Sequence, residues 1–236
     1  MITVVIPVRN AEKTIKAAVD SVLMQEMPSR EGNPGFPDSL EVLCVLNGTT
    51  DRTESVLLQE YGRDSRVFIL SSAPGIVPAL NEGLRNATGY IIARHDADDV
   101  WLAGKLKAQV EFLRSHPEVD IVGTQLQVVD KSGAVTGVTS YPLVHDEITG
   151  RLLTGENSVG HPSVVFRRSV LDKCAGYTDL FPFAEDMELW IRAMAWHKFA
   201  NLPDVYVRYL HVPNPNYNPS VPKTLAAWYR MIYGVA

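Results

Sequence analysis

Residues 90–99 read YIIARHDADD, a short apolar run that ends in three carboxylates. The run Tyr90 to Ala93 predicts a β-strand, and Asp96, Asp98 and Asp99 follow it directly. Carboxylates this close repel one another unless a cation lies among them, and hard oxygen ligands suit Mg²⁺ or Mn²⁺ that also binds substrate phosphates. The alternative is a solvated acidic turn in which Asp99 caps the next helix.

Three β-branched runs precede this strand and alternate with helical patterns, which is typical of a parallel sheet covered by helices. The predicted strands are Val4 to Val8, Leu40 to Leu46 and Val67 to Leu70. The predicted helices are Asn10 to Met24, a helix capped by Thr50 and Asp51 that runs to Tyr61, and Ile76 to Asn86. The segment Pro28 to Asp38 holds three prolines and two glycines and predicts an irregular loop. Because open α/β sheets bind ligands at the carboxyl ends of their strands, we expect the chemistry there.

The second half of the chain predicts a mixed, partly antiparallel region. A hairpin is predicted from Val119 to Asp130 and Ala134 to Tyr141, with further strands at Ser163 to Phe166 and Val205 to His211 and a helix from Asp186 to Trp196. Pro213 to Pro222 holds four prolines and three asparagines, which predicts a flexible loop before a last helix. We expect one α/β domain over residues 1–211 and a C-terminal loop and helix over 212–236, truncated at Ala236.

Composition excludes several classes of protein. The chain has 236 residues, 46% of them hydrophobic and 21% charged, as in ordinary soluble domains. Its net charge is -5 with scattered Lys and Arg, so we expect no nucleic-acid partner. No signal peptide and no run of about 18 apolar residues is present, which predicts a cytoplasmic protein without a transmembrane segment and leaves peripheral membrane contact open. Cys44 and Cys174 lack zinc-type spacing and are predicted to be buried free thiols.

A second group of polar residues begins the predicted helix at Asp186. Acidic residues in a first helical turn are favoured by the helix dipole, so helix capping is one interpretation of Glu185 and Asp186. The other makes Asp186 a general base on an acceptor hydroxyl. His211, at the end of a strand-like run, is likewise either structural or part of a site.

Five segments occur in the order seen in family 2 glycosyltransferases, which the chain resembles over roughly residues 1–211. They are VVIPVRN at 4–10, NGTTD at 47–51, ALNEGL at 79–84, ARHDADD at 93–99 and AEDMELWIR at 184–192. The resemblance implies a GT-A fold, with a nucleotide-sugar-binding half over residues 1–99 and an acceptor half over 100–211. It also implies an inverting hexosyltransferase of polysaccharide biosynthesis.

The resemblance assigns roles on the donor side. It places Pro7, Arg9 and Asn47 near the base and ribose, and Asp96 toward the ribose and donor sugar. Asp98 matches the ligand of the Mn²⁺ or Mg²⁺, and His211 resembles the family's C-terminal metal-contacting histidine. Arg94, beside the acidic cluster, either pairs with a carboxylate or meets a phosphate.

On the other side of the donor sugar, Asp186 matches the family's catalytic base. Residues expected on the donor-sugar or acceptor side are Glu185, Trp190, Arg192 and His161. His161 belongs to a His161-Pro162-Ser163 segment that resembles a recurrent family segment near the acceptor entrance; the alternative for it is a hydrogen-bonded core histidine.

One departure affects the donor. The family usually has two aspartates before the glycine of its second motif, and this chain has Leu46 and Asn47 there. A carboxylate accepts from a uracil N–H, whereas an amide both donates and accepts, so Asn47 either pairs with uracil or favours another base. UDP is the leading donor nucleotide.

Two other classes of protein compete with this interpretation. A sugar-phosphate nucleotidyltransferase typically has a glycine-rich basic loop after its first strand, and the chain reads Pro7-Val8-Arg9-Asn10-Ala11 there. A non-catalytic nucleotide-sugar-binding module is expected to lose the base or a metal aspartate, and both are retained. We expect the acceptor to be a glycan or a lipid-linked sugar, selected by the segments 142–160 and 213–222.

Overall fold

The structure is a computed structural model that describes residues 1–27, 39–213 and 218–234. The predicted irregular loop Pro28 to Asp38 lies outside the described residues, as do residues 214–217 of the predicted loop before the last helix.

Strands and helices alternate through the first half of the chain. The strands are β1 Ile2–Val8, β2 Leu40–Leu46, β3 Val67–Ser71, β4 Ile91–Arg94, β5 Val100–Trp101, β6 Ile121–Val129, β7 Val135–Val138, β8 Val165–Arg167 and β9 Phe199–Leu210. The helices are α1 Ile15–Leu23, α2 Thr53–Tyr61, α3 Ile76–Asn86, α4 Lys105–Ser115, α5 His145–Leu152, α6 Ser169–Cys174, α7 Glu185–Ala193 and α8 Ser220–Tyr233. A 3₁₀ turn covers His161–Ser163.

All nine of these strands belong to one sheet, in the order β3-β2-β1-β4-β8-β6-β9-β5, with β7 paired to β6. Strands β1 to β4 are parallel neighbours. Strand β8 runs antiparallel to β4 and β6, whereas β9 runs parallel to β6. Because β1, β2 and β4 are parallel, the residues that follow them, Arg9, Asn47 and His95 to Asp99, meet at one edge of the sheet.

The core lies on both faces of this sheet. Along the fully buried strand β1, Val4, Ile6 and Val8 pack in the layer that contains α1, α2 and α4, while Val5 packs in the layer that contains α3 and α7. Burial on both faces explains why β1 is a continuous apolar run rather than an alternating one. The absence of a side chain at Gly83 lets α3 approach the sheet closely, since a Cβ there would lie 2.3 Å from Val5 Cγ1.

Several predicted boundaries were wrong. Helix α1 begins at Ile15 rather than Asn10, because Asn10 has a left-handed backbone (φ 50°) that no helix accommodates. Strand β9 begins at Phe199 rather than Val205; Pro203 and Asp204 interrupt its apolar pattern where its register with β6 shifts. Helix α7 ends at Ala193, before the predicted Trp196. Ser163 ends the 3₁₀ turn and does not begin a strand.

Other predictions agree with the structure. The hairpin is present as β6 and β7, and β2 and α3 have the predicted bounds. Cys44 and Cys174 are buried free thiols. Within the described ranges, no helix has both the length and the apolar character needed to cross a membrane. The division of residues 1–211 into two functional halves stays a prediction.

Candidate functional site

Two adjacent cavities open at the carboxyl ends of β1, β2 and β4. The first, the strand-end cavity, has a volume of ≈ 510 Å³, and the predicted residues in its lining are Pro7, Arg9, Asn47, Asp96, Asp98 and Glu185. The second, the α7 cavity, has a volume of ≈ 620 Å³, and the predicted residues in its lining are Arg94, Asp96, His161, Glu185, Asp186 and His211. Four residues line both cavities: Ile76, Asp96, Phe183 and Glu185. A ligand that spans the shared wall would therefore meet both groups of predicted residues.

Asn47 is fixed at the end of β2 by the neighbouring strand. Its backbone N–H and its side-chain Nδ2 both donate to the carbonyl oxygen of Val8, at 3.0 and 3.1 Å. A flipped amide would set two oxygens against each other, so the hydrogen-bond network assigns the nitrogen to Val8. The Oδ1 atom of Asn47 is then the part of the amide left to accept a hydrogen bond from a ligand.

The acidic cluster is partly compensated by a buried arginine. Arg94, only 3% exposed, forms an ion pair with Asp96. The side chain of Asp98 is exposed to solvent on one side and partly buried in the cavity wall on the other. This burial is the main cause that raises the pKa of Asp98 to about 6, and the charge of Asp96 is the second. Burial and the same Asp96 charge raise the pKa of Asp99 to about 9. Asp99 is therefore mostly protonated at neutral pH, and Arg94 offsets the charge of Asp96, so Asp98 is the carboxylate of this loop left without a compensating cation among the described residues.

Asp99 has a structural partner rather than the predicted capping role. Its Oδ1 accepts a hydrogen bond from the backbone N–H of Leu210 at 2.8 Å, and α4 begins only at Lys105. This bond joins the acidic loop to the end of β9, next to His211. The alternative in which Asp99 caps the next helix is therefore wrong.

The residues predicted to hold a metal are not arranged as a protein-only metal site. Among the residues that the structure describes, no three His, Cys, Asp or Glu side chains are grouped closely enough to hold an ion. Asp98 lines the strand-end cavity and His211 lines the α7 cavity. Mg²⁺ and similar ions take one or two protein carboxylates and complete their coordination with substrate phosphates and water. The undercompensated charge at Asp96 and Asp98 fits such a cation together with a bound diphosphate.

Asp186 lies in the first turn of α7 and faces the α7 cavity. Its Oδ1 accepts from the backbone N–H of Met187 at 2.7 Å, and its Oδ2 accepts from Nδ2 of Asn157 at 2.6 Å. Burial raises the pKa of Asp186, while these two hydrogen bonds oppose the rise. For Glu185, burial and then the neighbouring Asp186 raise the pKa to about 7. Carboxyl groups with raised pKa in a cavity are suited to proton transfer near neutral pH.

His161 is both a hydrogen-bonded, buried histidine and part of the wall of the α7 cavity. Its Nε2 shares a 2.9 Å hydrogen bond with the hydroxyl of Tyr177, and only 8% of the residue is exposed. It nevertheless lines the α7 cavity. Burial and then the charge of Arg94 lower its pKa well below the usual value, so the imidazole is neutral. A neutral, hydrogen-bonded ring forms part of the cavity wall.

The structure does not bring Trp190 and Arg192 to either cavity, which corrects their predicted position. Trp190 is fully buried and meets Phe199 edge-on at 6.2 Å between ring centroids. Arg192 donates to Glu188 and to the backbone carbonyl of Gly176 at 2.6 and 2.9 Å. Both lie more than one helical turn beyond Asp186, where α7 has left the cavity and packs in the core.

Sequence reasoning missed several residues of the α7 cavity: Tyr141, Asn157, Phe183 and Tyr209. Tyr209 had a signal, because the two-residue period of a strand places it on the same face as His211. The other three lie outside helices and strands, where periodicity gives no information; Tyr141 was predicted only as the end of the hairpin, and Asn157 only as part of the acceptor-selecting segment 142–160. Phe183 has a left-handed backbone (φ 62°) and is 50% exposed in the wall shared by the two cavities.

Comparison with known proteins identifies the class to which this site belongs. The family model described as Glycosyl transferase family 2 matches residues 3–175. This chain therefore belongs to glycosyl transferase family 2.

Individual relatives and solved structures agree with this assignment. The O-antigen biosynthesis glycosyltransferase WbnJ of Escherichia coli is 29% identical over 82% of this chain and 72% of its own length. The Amylovoran biosynthesis glycosyltransferase AmsE of Erwinia amylovora is 29% identical over 71% of this chain and 63% of its own length. The chain thus spans less than two thirds of AmsE.

Two solved structures share the fold. S. aureus TarS 1-349 in complex with UDP-GlcNAc has a TM-score of 0.73 at 20% identity, covering 98% of this chain and 66% of that one. The mannosyltransferase PcManGT from Pyrobaculum calidifontis, in complex with GDP-Man and Mn²⁺, has a TM-score of 0.64 at 21% identity, covering 100% of this chain and 75% of that one. The GT-A fold predicted from the sequence is confirmed.

Proposed function

We propose that this chain carries the catalytic site of an inverting glycosyltransferase, which moves a sugar from a nucleotide diphosphate sugar to a hydroxyl of a glycan or a lipid-linked sugar. The observation that carries the proposal is the pair of cavities with a shared wall. The nucleotide-side residues line one cavity, Asp186 lines the other, and Asp96 and Glu185 lie between them. A donor sugar bound at the shared wall would face the nucleotide-side residues on its leaving-group side and Asp186 on the side from which the acceptor attacks.

The strand-end cavity is proposed to hold the nucleotide. Pro7, Arg9 and Asn47 contact the base and ribose, and Asp96 faces the ribose and donor sugar. Because the amide nitrogen of Asn47 bonds to Val8, its oxygen would accept from a base N–H. Uracil, thymine and guanine offer such a group, whereas the corresponding ring nitrogen of cytosine is an acceptor. A UDP-sugar is therefore retained as the leading donor.

Asp186 is proposed to be the general base. Its carboxylate takes the proton of the acceptor hydroxyl as the oxygen attacks the anomeric carbon, and the bond to the nucleotide diphosphate breaks on the opposite side. The raised pKa of Asp186 makes this carboxylate a stronger base than a solvated aspartate. Glu185 and His161 are proposed to contact the sugars from the same cavity.

A divalent cation is proposed on the diphosphate side. Asp98 would hold Mn²⁺ or Mg²⁺, and His211 is the proposed second protein ligand. When bound, the cation supplies positive charge against the negative charge that builds on the departing diphosphate. Arg94 is already paired with Asp96, so it orients that carboxylate rather than meeting a phosphate.

The names of similar proteins support the substrate classes. PcManGT was solved with GDP-Man and Mn²⁺, and TarS with UDP-GlcNAc. WfgD of Escherichia coli, 28% identical over 81% of this chain and 68% of its own length, is named as a UDP-Glc:alpha-D-GlcNAc-diphosphoundecaprenol beta-1,3-glucosyltransferase. A saccharide on a lipid diphosphate is accordingly our proposed acceptor class. Cytoplasmic location with peripheral membrane contact stays a prediction from sequence.

The competing classes are less well supported. A nucleotidyltransferase would be expected to present a flexible glycine-rich loop after β1, and the chain instead has Arg9 and the left-handed Asn10 there. A non-catalytic module would not need a hydrogen-bonded carboxylate in the second cavity, and Asp186 is held there by two donors.

Ligand-induced thermal stabilisation tests the donor site. A panel of UDP-, GDP-, dTDP- and CMP-sugars is measured with Mn²⁺ and with EDTA, because a ligand that binds only the folded state raises its melting temperature. We expect a Mn²⁺-dependent shift with a uridine, thymidine or guanosine donor and none with CMP-sugars. Asp186→Asn should keep this shift but lose about a hundredfold or more in turnover. Unchanged turnover in Asp186→Asn would remove the base from the proposal.

A further inference from the structure

Asn157 is the side chain in closest contact with Asp186, and no motif pointed to it. It lies in the segment between α5 and the 3₁₀ turn, 29 residues from Asp186 along the chain, and its Nδ2 donates to Asp186 Oδ2 at 2.6 Å. The only other hydrogen bond that the structure gives the described Asp186 carboxylate comes from the N–H of Met187, the next residue of the same helix. Asn157 therefore provides the hydrogen bond that this carboxylate receives from a part of the chain distant in sequence.

The orientation of the Asn157 amide is fixed by a second partner. Its Oδ1 accepts from the backbone N–H of Val159 at 3.3 Å. A flipped amide would set its nitrogen against the Val159 N–H and its oxygen against the Asp186 carboxylate, which loses both bonds. Asn157 therefore presents a donor, and not an acceptor, to Asp186.

We propose that Asn157 is a positioning residue, which holds the Asp186 carboxylate toward the α7 cavity by donating a hydrogen bond from its side-chain amide. The inference rests on the proposed function, in which Asp186 is the general base. Each carboxylate oxygen has two lone-pair sites, and the two observed donors occupy one on each oxygen. The remaining sites stay available for an acceptor hydroxyl, while the side chain cannot rotate without losing a bond.

A hydrogen bond to the charged form also adjusts the acidity of the base. Burial alone raises the pKa of Asp186, and the Asn157 bond opposes this rise. The charged and titratable groups around the carboxylate come from several elements: Glu185 beside it on α7, Arg94 and Asp96 at the end of β4, Tyr209 and His211 at the end of β9, and Tyr141, His161 and Tyr177 from loops and the 3₁₀ turn. Arg94 favours the ionised Asp186 carboxylate and Glu185 disfavours it. Asn157 favours the ionised form as well, through a hydrogen bond from an uncharged group.

The test measures the titration of Asp186 directly, without a substrate. Protein labelled with ¹³C at the aspartate carboxyl carbon is titrated by NMR, and the Asp186 resonance is assigned from its absence in Asp186→Asn. The variants are Asn157→Ala, which removes the donor, and Asn157→Asp, which keeps the volume but places a second carboxylate there. Glu156→Gln is the control, since its exposed side chain belongs to the same segment.

We expect the Asp186 titration midpoint to rise by about one pH unit in Asn157→Ala, a tenfold change in acidity, and by more in Asn157→Asp. Glu156→Gln should leave it within about 0.3 units of wild type. The isosteric Asn157→Asp separates this effect from loosening of the loop, because a loosened loop would hydrate Asp186 and lower its pKa. A midpoint in Asn157→Ala that matches wild type, or falls below it, overturns the proposal.

A second measurement separates this inference from the proposed function. Hydrolysis of UDP-GlcNAc, followed by release of UDP, is compared in wild type, Asn157→Ala and Asp186→Asn. We expect Asn157→Ala to lower kcat roughly tenfold with little change in KM. If Asp186→Asn abolishes turnover and Asn157→Ala does not lower it, the positioning role fails while the base stands. If Asp186→Asn keeps full turnover, the base itself fails.

Discussion

Replacing Gln109 with methionine should destabilise the protein by about 3 kcal/mol. Gln109 is fully buried on α4; its Nε2 donates to the carbonyl oxygens of Val122 and Ser163 at 2.8 and 2.9 Å, and its Oε1 accepts from Nζ of Lys105 at 2.8 Å. Methionine has a similar volume and helix propensity, so the substitution removes three hydrogen bonds without opening a cavity. Each is worth about 1 kcal/mol, and the sum is a large part of a total stability of about 5–15 kcal/mol.

The effect should also depend on pH, because Lys105 is fully buried and loses its only hydrogen-bond acceptor in the described structure. Burial lowers the pKa of Lys105 well below its ordinary value, so the folded protein binds this proton less readily than the unfolded chain does. Stability contributed by this group therefore rises as the pH rises between its folded and unfolded pKa values. Without the glutamine oxygen the charged form is disfavoured further, so the loss should be larger at a pH below the Lys105 pKa of the folded protein than at a pH above it.

Urea unfolding followed by tryptophan fluorescence measures both effects. The control is Gln59→Met, an exposed glutamine on α2, which should change stability by less than about 0.5 kcal/mol. A loss of less than 1 kcal/mol in Gln109→Met, or a loss equal to that of the control, would refute the argument from buried hydrogen bonds. A loss independent of pH would refute the part that concerns Lys105.

Three further predictions concern the site, the core and the thiols. Because the pKa of Asp98 is raised to about 6, Mn²⁺ binding in the presence of UDP should weaken as the pH falls from 7.5 to 5.5, measured by calorimetry; an affinity that does not change would contradict Asp98 as the ligand. Gly83→Ala should cost about 1–3 kcal/mol through its clash with Val5, and Val5→Ala in the same chain should recover part of the loss in urea unfolding. Buried Cys44 and Cys174 should react with a thiol reagent only after denaturation, and rapid reaction of the native protein would show that the core opens.

Much of the fold could be predicted from local sequence because the first half consists of regular repeating units. Strands β1 and β2 are buried on both faces, so their apolar runs are continuous and easily recognised. The second half is harder, since β8 has three residues and β9 contains Pro203 within its length. A strand that short has no period to detect, and its existence depends on pairing with β4 and β6, which are distant in sequence.

In the candidate site, too, some residues could be predicted from local sequence and others depend on contacts between distant segments. Asp96, Asp98 and Asn47 could be located because they directly follow strands, and parallel strands bring such residues to one edge. Trp190 and Arg192 were misplaced because they share a segment with Asp186 but lie beyond the turn of α7 that faces the cavity. Asn157 lies in the segment 142–160 that was expected to select the acceptor, but nothing singled out the residue, since its contact with Asp186 joins two segments whose approach is set by the packing of α5 against α7.

The left-handed backbone at Phe183 makes this residue a natural position for redesign. A left-handed conformation costs a side chain about 1–2 kcal/mol, and glycine adopts it freely. In Phe183→Gly the relief of that cost offsets the added freedom of the unfolded chain, about 0.4–1 kcal/mol. Because the half-exposed ring lines both cavities, its removal would widen the wall that they share. If the proposed function holds, Phe183→Gly is therefore the substitution at this wall expected to broaden the range of sugars accepted, with the backbone relief offsetting part of the packing lost with the ring.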